Sequence, residues 1–151
     1  MTPGDTPPGR VLVVDDHPHL CWVLHKLLSE RHHTVVTFQN GAAALAALAT
    51  FDCQVAVVDY RLPDCDGCSL IRQMTDRAPR LRSILMSSYG GSALAGSLEP
   101  GRVFAYLDKP FKNSAIVHAV EGALAAWQKG VDSLSRESAP RNGLPLSVKP
   151  A

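Results

Sequence analysis

The chain has 151 residues, 46% hydrophobic and 19% charged, with a formal net charge of +1. That length supports one domain with a real hydrophobic core, and so even a charge marks neither a nucleic-acid nor a membrane surface. No apolar stretch approaches the roughly 18 residues of a membrane helix, the start lacks a secretory apolar core, and four cysteines without framework spacing argue for a reducing, cytoplasmic setting.

Residues 1–9 are rich in Pro and Gly and are expected to be disordered. The first apolar run, at 11–14, stops at Asp15-Asp16. Such a run reads as a buried parallel strand opening onto the carboxyl edge of its sheet. Over 19–30, Leu20, Val23, Leu24, Leu27 and Leu28 share one helical face, with Pro18 at the start, where its missing amide donor costs nothing. That spacing turns Cys21, Trp22 and His25 outward, next to the acidic edge. A second strand spans 34–38, and Asn40 can cap an Ala-rich helix over 42–50. The third strand, 55–59, ends on Asp59, and a loop from Leu62-Pro63-Asp64 leads into a helix over 68–76. Residues 83–87 form the fourth strand. A helix over 89–99 is poorly favoured, because Gly90, Gly91 and Gly96 each cost it about 1 kcal/mol against Ala. Pro100-Gly101 ends it, and 103–107 is strand five. The last helix spans 113–128, with Ile116, Val120, Ala123, Leu124 and Trp127 on one face. The tail 131–151, rich in Ser, Pro and Arg and without periodicity, is expected to be disordered.

Five βα units in a row imply an α/β protein, a parallel sheet with right-handed crossovers and helices on both faces. In such open sheets the site lies outside the carboxyl ends of the strands, where strand order reverses. If strands one and three are neighbours, Asp15, Asp16 and Asp59 meet there. Three carboxylates so placed repel each other unless a hard cation sits between them, and Mg²⁺, which takes oxygen ligands, suits the cluster.

These residues resemble the receiver domain of two-component response regulators, over roughly 10–128. The resemblance is carried by Val13-Val14-Asp15-Asp16, by Asp59 followed by Arg61-Leu62-Pro63-Asp64-Cys65-Asp66-Gly67, by Leu85-Met86-Ser87-Ser88-Tyr89-Gly90, and by Tyr106-Leu107-Asp108-Lys109-Pro110-Phe111. It implies a flavodoxin-like sheet of order 2-1-3-4-5 with five helices, and a stand-alone receiver over 10–129. Asp59 would be the phosphoacceptor, attacking the phosphoryl group of a phosphohistidine. Asp15 and Asp16 would hold Mg²⁺, with Asp59 and the backbone carbonyl of Arg61 completing the protein ligands. Lys109 would bind a phosphoryl oxygen as a point charge, Ser87 would donate to the phosphoryl group, and Tyr106 would turn inward as a two-state element. Pro110 restricts Lys109 to an extended backbone. The implied partners are a histidine kinase or histidine phosphotransfer protein, docking on the first helix with Trp22 as anchor, and a second copy bound upon phosphorylation. Catalysis would be limited to its own phosphorylation and dephosphorylation. Large residues at Arg61 and Tyr89, on the path of the attacking water, imply slow self-hydrolysis.

As isolated residues, Asp15 and Asp59 read equally as strand-end carboxylates facing water, Lys109 as a solvated charge and Tyr106 as a half-buried strand aromatic. Cys65-Asp66-Gly67-Cys68 has redox or metal spacing, but no second Cys or His pair follows closely enough for zinc, so Cys65 reads as a small hydrophobe. His17, His19, His32 and His33 invite a metal reading; the last two lie at a helix-to-strand turn, where surface placement is expected. Among other functions, a dehalogenase-like phosphatase wants a second acid where Arg61 stands. A constitutive pseudo-receiver would not need the acidic cluster, Ser87 and Lys109. The receiver part of a DNA-binding regulator, joined through the Ser/Pro/Arg tail, stays open.

Overall fold

The central strands set the architecture, because their residues are apolar on both sides. The computed structural model describes residues 7–88 and 102–142. In chain order these form β1 (Arg10–Val14), α1 (Pro18–Ser29), β2 (Thr34–Phe38), α2 (Gly41–Ala47), β3 (Val55–Asp59), α3 (Gly67–Arg77), β4 (Arg82–Ser87), β5 (Ala105–Asp108) and α4 (Asn113–Asn142). The five strands are all parallel, in the order β2-β1-β3-β4-β5. Successive strand residues face opposite ways. Leu12, Val14, Ala56, Val58 and Leu85 therefore pack on Ala44 of α2 and on Leu70, Ile71 and Met74 of α3. Val11, Val13, Val57, Ile84 and Met86 pack on Leu24 and Leu28 of α1 and on Ile116 and Val120 of α4. Each Val, Leu, Ile or Met among them contributes roughly 1.5–3 kcal/mol by leaving water. The result is the flavodoxin-like, doubly wound sheet with its strand order as expected.

Local chemistry explains where the helices stop and start. Asn40 accepts from the Ala43 amide at 2.8 Å and Asp66 from the Ser69 amide at 2.8 Å, so α2 and α3 each begin on a side-chain cap. Beyond Ala47 the chain tightens to i, i+3 bonds, Thr50 N to Ala47 O among them at 3.1 Å, so α2 ends before residue 50. The helix expected over 89–99 lies outside the described residues. The last helix, expected to stop near Gln128, continues to Asn142. Gly130 costs it about 1 kcal/mol against Ala, and no further Gly or Pro intervenes before Pro140.

Three expectations fail on packing. Cys21 is buried, 4% exposed, because it shares the inward stripe with Leu24 and Leu28 at i, i+3, i+7. His33 is also buried, 4% exposed, rather than on the surface. His32 takes up the left-handed conformation that ends the α1 turn, at φ 73°, and this directs His33 inward. There the His33 Nδ1 accepts the Gly9 amide at 3.0 Å, and the Gly9 carbonyl accepts from Thr34 N at 2.8 Å. Gly9 is thus fixed, not part of a disordered start. The other His33 nitrogen, Nε2, faces Glu121 Oε2 at 3.6 Å, beyond hydrogen-bond reach. Glu121 itself is gripped by Arg31 at 2.6 and 3.1 Å, which ties the end of α1 to α4.

Burial holds the His33 imidazole below its ordinary value, with the Glu121 charge offsetting only part of the effect. The unfolded chain therefore binds more protons than the folded one just below pH about 6.5, and stability should fall as pH drops through that value. Urea midpoints of wild type and His33→Asn, measured against pH, should converge at low pH. Parallel profiles would show that His33 does not contribute the linkage.

Candidate functional site

Four charged groups converge where the carboxyl ends of β1, β3 and β5 open to solvent. Val14 pairs with Val58, so Asp15, just past β1, stands beside Asp59, the last residue of β3. The Asp15 Oδ1 accepts the His17 amide at 2.9 Å, a turn that carries the chain from strand into α1. Between the carboxylates lies the Lys109 amine, 2.7 Å from Asp15 Oδ2 and 3.0 Å from Asp59 Oδ1. Lys109 follows β5 directly. Its amide donates to the Ser87 carbonyl at 2.8 Å, and the Lys109–Pro110 peptide is cis. Asp15 is fully buried and Asp59 5% exposed, whereas Asp16 faces water.

The loop after Asp59 is folded hard against its strand. Gly67 N donates to Tyr60 O at 2.6 Å, and Leu62 N to Cys65 O at 3.2 Å. A Cβ at Gly67 would lie 2.5 Å from the Asp59 carbonyl oxygen, so only glycine permits that approach. Arg61, on this loop, forms a cleft of about 250 Å³ with Asp16, His17, Asp59, Ser88 and Lys109.

Electrostatics follow from burial. Desolvation pushes the Asp59 carboxyl above its ordinary value; the Lys109 hydrogen bond holds it back, and the Asp15 charge adds to the rise. Burial pulls Lys109 down, but its bonds to Asp15 and Asp59 more than compensate and keep it above its ordinary value. Asp15, Asp16, His17 and Asp59 place donor atoms within 4.8 Å of one another. Buried carboxylate oxygens at one sheet edge fit a hard divalent cation such as Mg²⁺.

Of the residues singled out from sequence, Asp15, Asp16, Asp59 and Lys109 are brought together, and Arg61 lines the same cleft. Ser87 ends β4 and is 1% exposed, and the cleft wall is formed by its neighbour Ser88. Tyr106 is half-buried on β5, paired with Leu85. Tyr89 lies outside the described residues. Trp22 and His25 are exposed, Trp22 at 60%. Cys21 points inward, its thiol donating to the Asp15 carbonyl at 3.1 Å, and so leaves the outer surface. His17 is the residue that sequence reasoning did not assign to the cluster, although it directly follows the acidic pair. Ser88 was likewise visible only as the neighbour of Ser87.

A doubly wound parallel sheet with a charged cleft beyond the carboxyl ends of its strands, where strand order reverses, marks an open α/β protein with its site at the topological switch point. The sequence matches the model of the response regulator receiver domain over residues 11–121, and the chain belongs to that family. It is 38% identical over 121 residues to the DNA-binding transcriptional regulator NtrC of Escherichia coli K12, covering 80% of this chain and 26% of that protein. It is 33% identical over 119 residues to the C4-dicarboxylate transport transcriptional regulatory protein DctD of Pseudomonas aeruginosa, covering 76% and 25%. The chain thus spans about a quarter of the length of these curated relatives. A CheY-like receiver domain protein from Methanospirillum hungatei JF-1 shares the fold, with a TM-score of 0.74 at 20% identity over 82% of this chain and 99% of that one. Among the described residues, no helix is long and apolar enough to cross a membrane.

Because the folded state raises the Asp59 pKa, its ionised form is a net liability to stability once pH exceeds the unfolded carboxylate value. With a chelator present, Asp59→Asn should raise the urea midpoint at neutral pH, and the gain should shrink as pH falls through the raised folded value and be gone below the unfolded value of about 4. Equal midpoints at neutral pH would contradict this account of the pocket.

Proposed function

We propose that this receiver accepts a phosphoryl group on Asp59 from a histidine kinase or histidine phosphotransfer protein. The observation that carries the reading is the Lys109 amine within 3.0 Å of both buried carboxylates, Asp15 and Asp59. An amine so held is placed to meet a further anion at the same edge. One Asp59 oxygen would attack phosphorus, the bond from phosphorus to the donor imidazole nitrogen would break, and the product would be an acyl phosphate on Asp59. Since Oδ1 is held by Lys109, the attack is assigned to Oδ2. Asp15, Asp16, Asp59 and the backbone carbonyl of Arg61 would hold Mg²⁺. When bound, that ion offsets the repulsion between carboxylate and incoming phosphoryl oxygens. Lys109 would then orient a phosphoryl oxygen. Ser87 and Tyr106 lie on paired strands, with Tyr106 opposite Leu85 and Ser87 opposite Asp108. This supports a switch in which Ser87 meets the phosphoryl group and Tyr106 follows it. Arg61 on the cleft wall supports slow self-hydrolysis.

The outer face of α1 is the proposed docking surface for the phosphodonor. Trp22 is stacked beside His19, ring centroids 6.4 Å apart, and the Lys26 amine lies 5.5 Å from the Trp22 ring centroid. An exposed tryptophan held in place by its neighbours is the residue type most enriched in binding hot spots, and His25 extends the same face. A second reading is favoured by the relatives, which are DNA-binding or transcriptional regulators. In it this chain is the receiver part of such a protein, and the reading frame after Ala151 would decide.

Intact mass after incubation with acetyl phosphate and Mg²⁺ tests the first reading. One phosphoryl group on the wild type and none on Asp59→Asn is expected, with a lifetime well beyond seconds; an adduct on both proteins would sink it. Trp22→Ala should slow phosphotransfer from the cognate kinase by about tenfold or more, the effect of losing a hot spot worth 1.4 kcal/mol. Phosphorylation by acetyl phosphate should be unchanged. A wild-type rate with the kinase would remove Trp22 from the interface.

A further inference from the structure

His17 is the N-cap residue of α1, yet its side chain makes no capping hydrogen bond. The ring turns back over the cleft, with Nδ1 2.8 Å from Asp15 Oδ1 and 3.2 Å from Asp16 Oδ1. Its side chain is 69% exposed, so packing does not hold it there; the carboxylates do. The donor atoms of Asp15, Asp16, His17 and Asp59 span no more than 4.8 Å. One cation at about 2.0–2.4 Å from each ligand can bridge that spread.

We propose that His17 is a nitrogen ligand of this cation site and shifts its preference from Mg²⁺ towards borderline ions such as Mn²⁺ and Co²⁺. The inference rests on reading the acidic edge as a cation-assisted phosphoacceptor site, and adds a donor to it. Mg²⁺ is a hard ion that takes oxygen ligands and retains water, so an imidazole adds little to its affinity. Mn²⁺ and Co²⁺ accept mixed nitrogen and oxygen sets, and Co²⁺ gains more from nitrogen than Mn²⁺ does. Three carboxylates alone would rank these equally charged ions mainly by size and by the cost of removing their water. A fourth donor of a different kind changes the ranking, and the chain supplies it one residue after Asp16. The same contacts also allow a plainer role, in which His17 merely screens the carboxylates. That role would affect every divalent ion alike, which separates the two.

The experiment uses the full chain and its His17→Ala and His17→Asn variants at one neutral pH. Calorimetric titration with Mg²⁺ and with Co²⁺ gives the affinities. Electron spin-echo spectra of bound Mn²⁺ report whether an imidazole nitrogen is attached. The expected result is a loss of about tenfold in Co²⁺ affinity for both variants, near 1.4 kcal/mol, with Mg²⁺ affinity changed by less than about twofold. Nitrogen modulation should be present on wild-type Mn²⁺ and absent in both variants. Mg²⁺ and Co²⁺ affinities that move by the same factor, or a wild-type spectrum without nitrogen modulation, would overturn the proposal while leaving the cation site intact. If neither ion binds the wild type, or if Asp15→Asn and Asp59→Asn leave binding unaltered, the reading of the site fails and the role of His17 with it.

Discussion

The contact on which the acidic edge depends is the Lys109 amine between Asp15 and Asp59. Two carboxylates this deeply buried are costly to ionise side by side, and one cation at hydrogen-bond distance from both makes the arrangement tolerable. Everything that fixes the amine therefore fixes the site. Lys109 is held by its own amide on the Ser87 carbonyl, so the ends of β4 and β5 are joined at the point where the charge is delivered. The pocket is in this sense an electrostatic joint between β1, β3 and β5, and a group that competes for Lys109 changes the balance across all three.

The sheet makes that joint possible by being apolar on both faces. With β1, β3 and β4 buried between two helix layers, the strands have little freedom to slide. The register that pairs Val14 with Val58 then dictates that Asp15 and Asp59 are neighbours. The opposite edge of the sheet is secured differently. There His33 receives the Gly9 amide, and Arg31 grips Glu121 across from α1 to α4. That edge is held by the Gly9–His33 hydrogen bond and a closed ion pair, although His33 Nε2 stays short of a hydrogen bond, and the other by charges gathered around one amine. Chemistry belongs at the second, where free energy is available to be released by a ligand.

Much of this was legible in the chain. Apolar β-branched runs ending in Asp15, Asp59 and Lys109 announce buried parallel strands and the edge at which they open. The helix caps at Asn40 and the periodic faces of α1 and α4 are equally plain. What was not legible depends on small shifts of helical phase or on distant partners. Cys21 reads as outward when the α1 face is drawn through Leu20, Val23, Leu24, Leu27 and Leu28; the structure centres the buried stripe on Leu24 and Leu28, leaves Leu20, Val23 and Leu27 half-buried, and so brings Cys21 in by a fraction of a turn. His33 reads as a surface residue because nothing local says that the left-handed turn at His32 will direct it under Gly9. The extent of α4 beyond Gly130 was hidden because a polar helix carries no hydrophobic period. His17 invited a metal reading only as one of several histidines, and was not joined to the acidic cluster for a related reason: one imidazole has no spacing, and it gains meaning only from carboxylates that the fold brings to it.

The position of α1 links these observations. Its first residues leave Asp15 through the His17 amide, and its inner face holds the Cys21 thiol on the Asp15 carbonyl at 3.1 Å. Its outer face carries Trp22, the very next residue. A partner that presses on Trp22 thus bears on a helix whose opposite side is hydrogen-bonded to the backbone of a buried carboxylate. Helices move as rigid units more readily than they bend, so a small tilt of α1 reaches Asp15 and His17 without any relay of side chains. The proposed docking face and the proposed cation site would therefore share one rigid element.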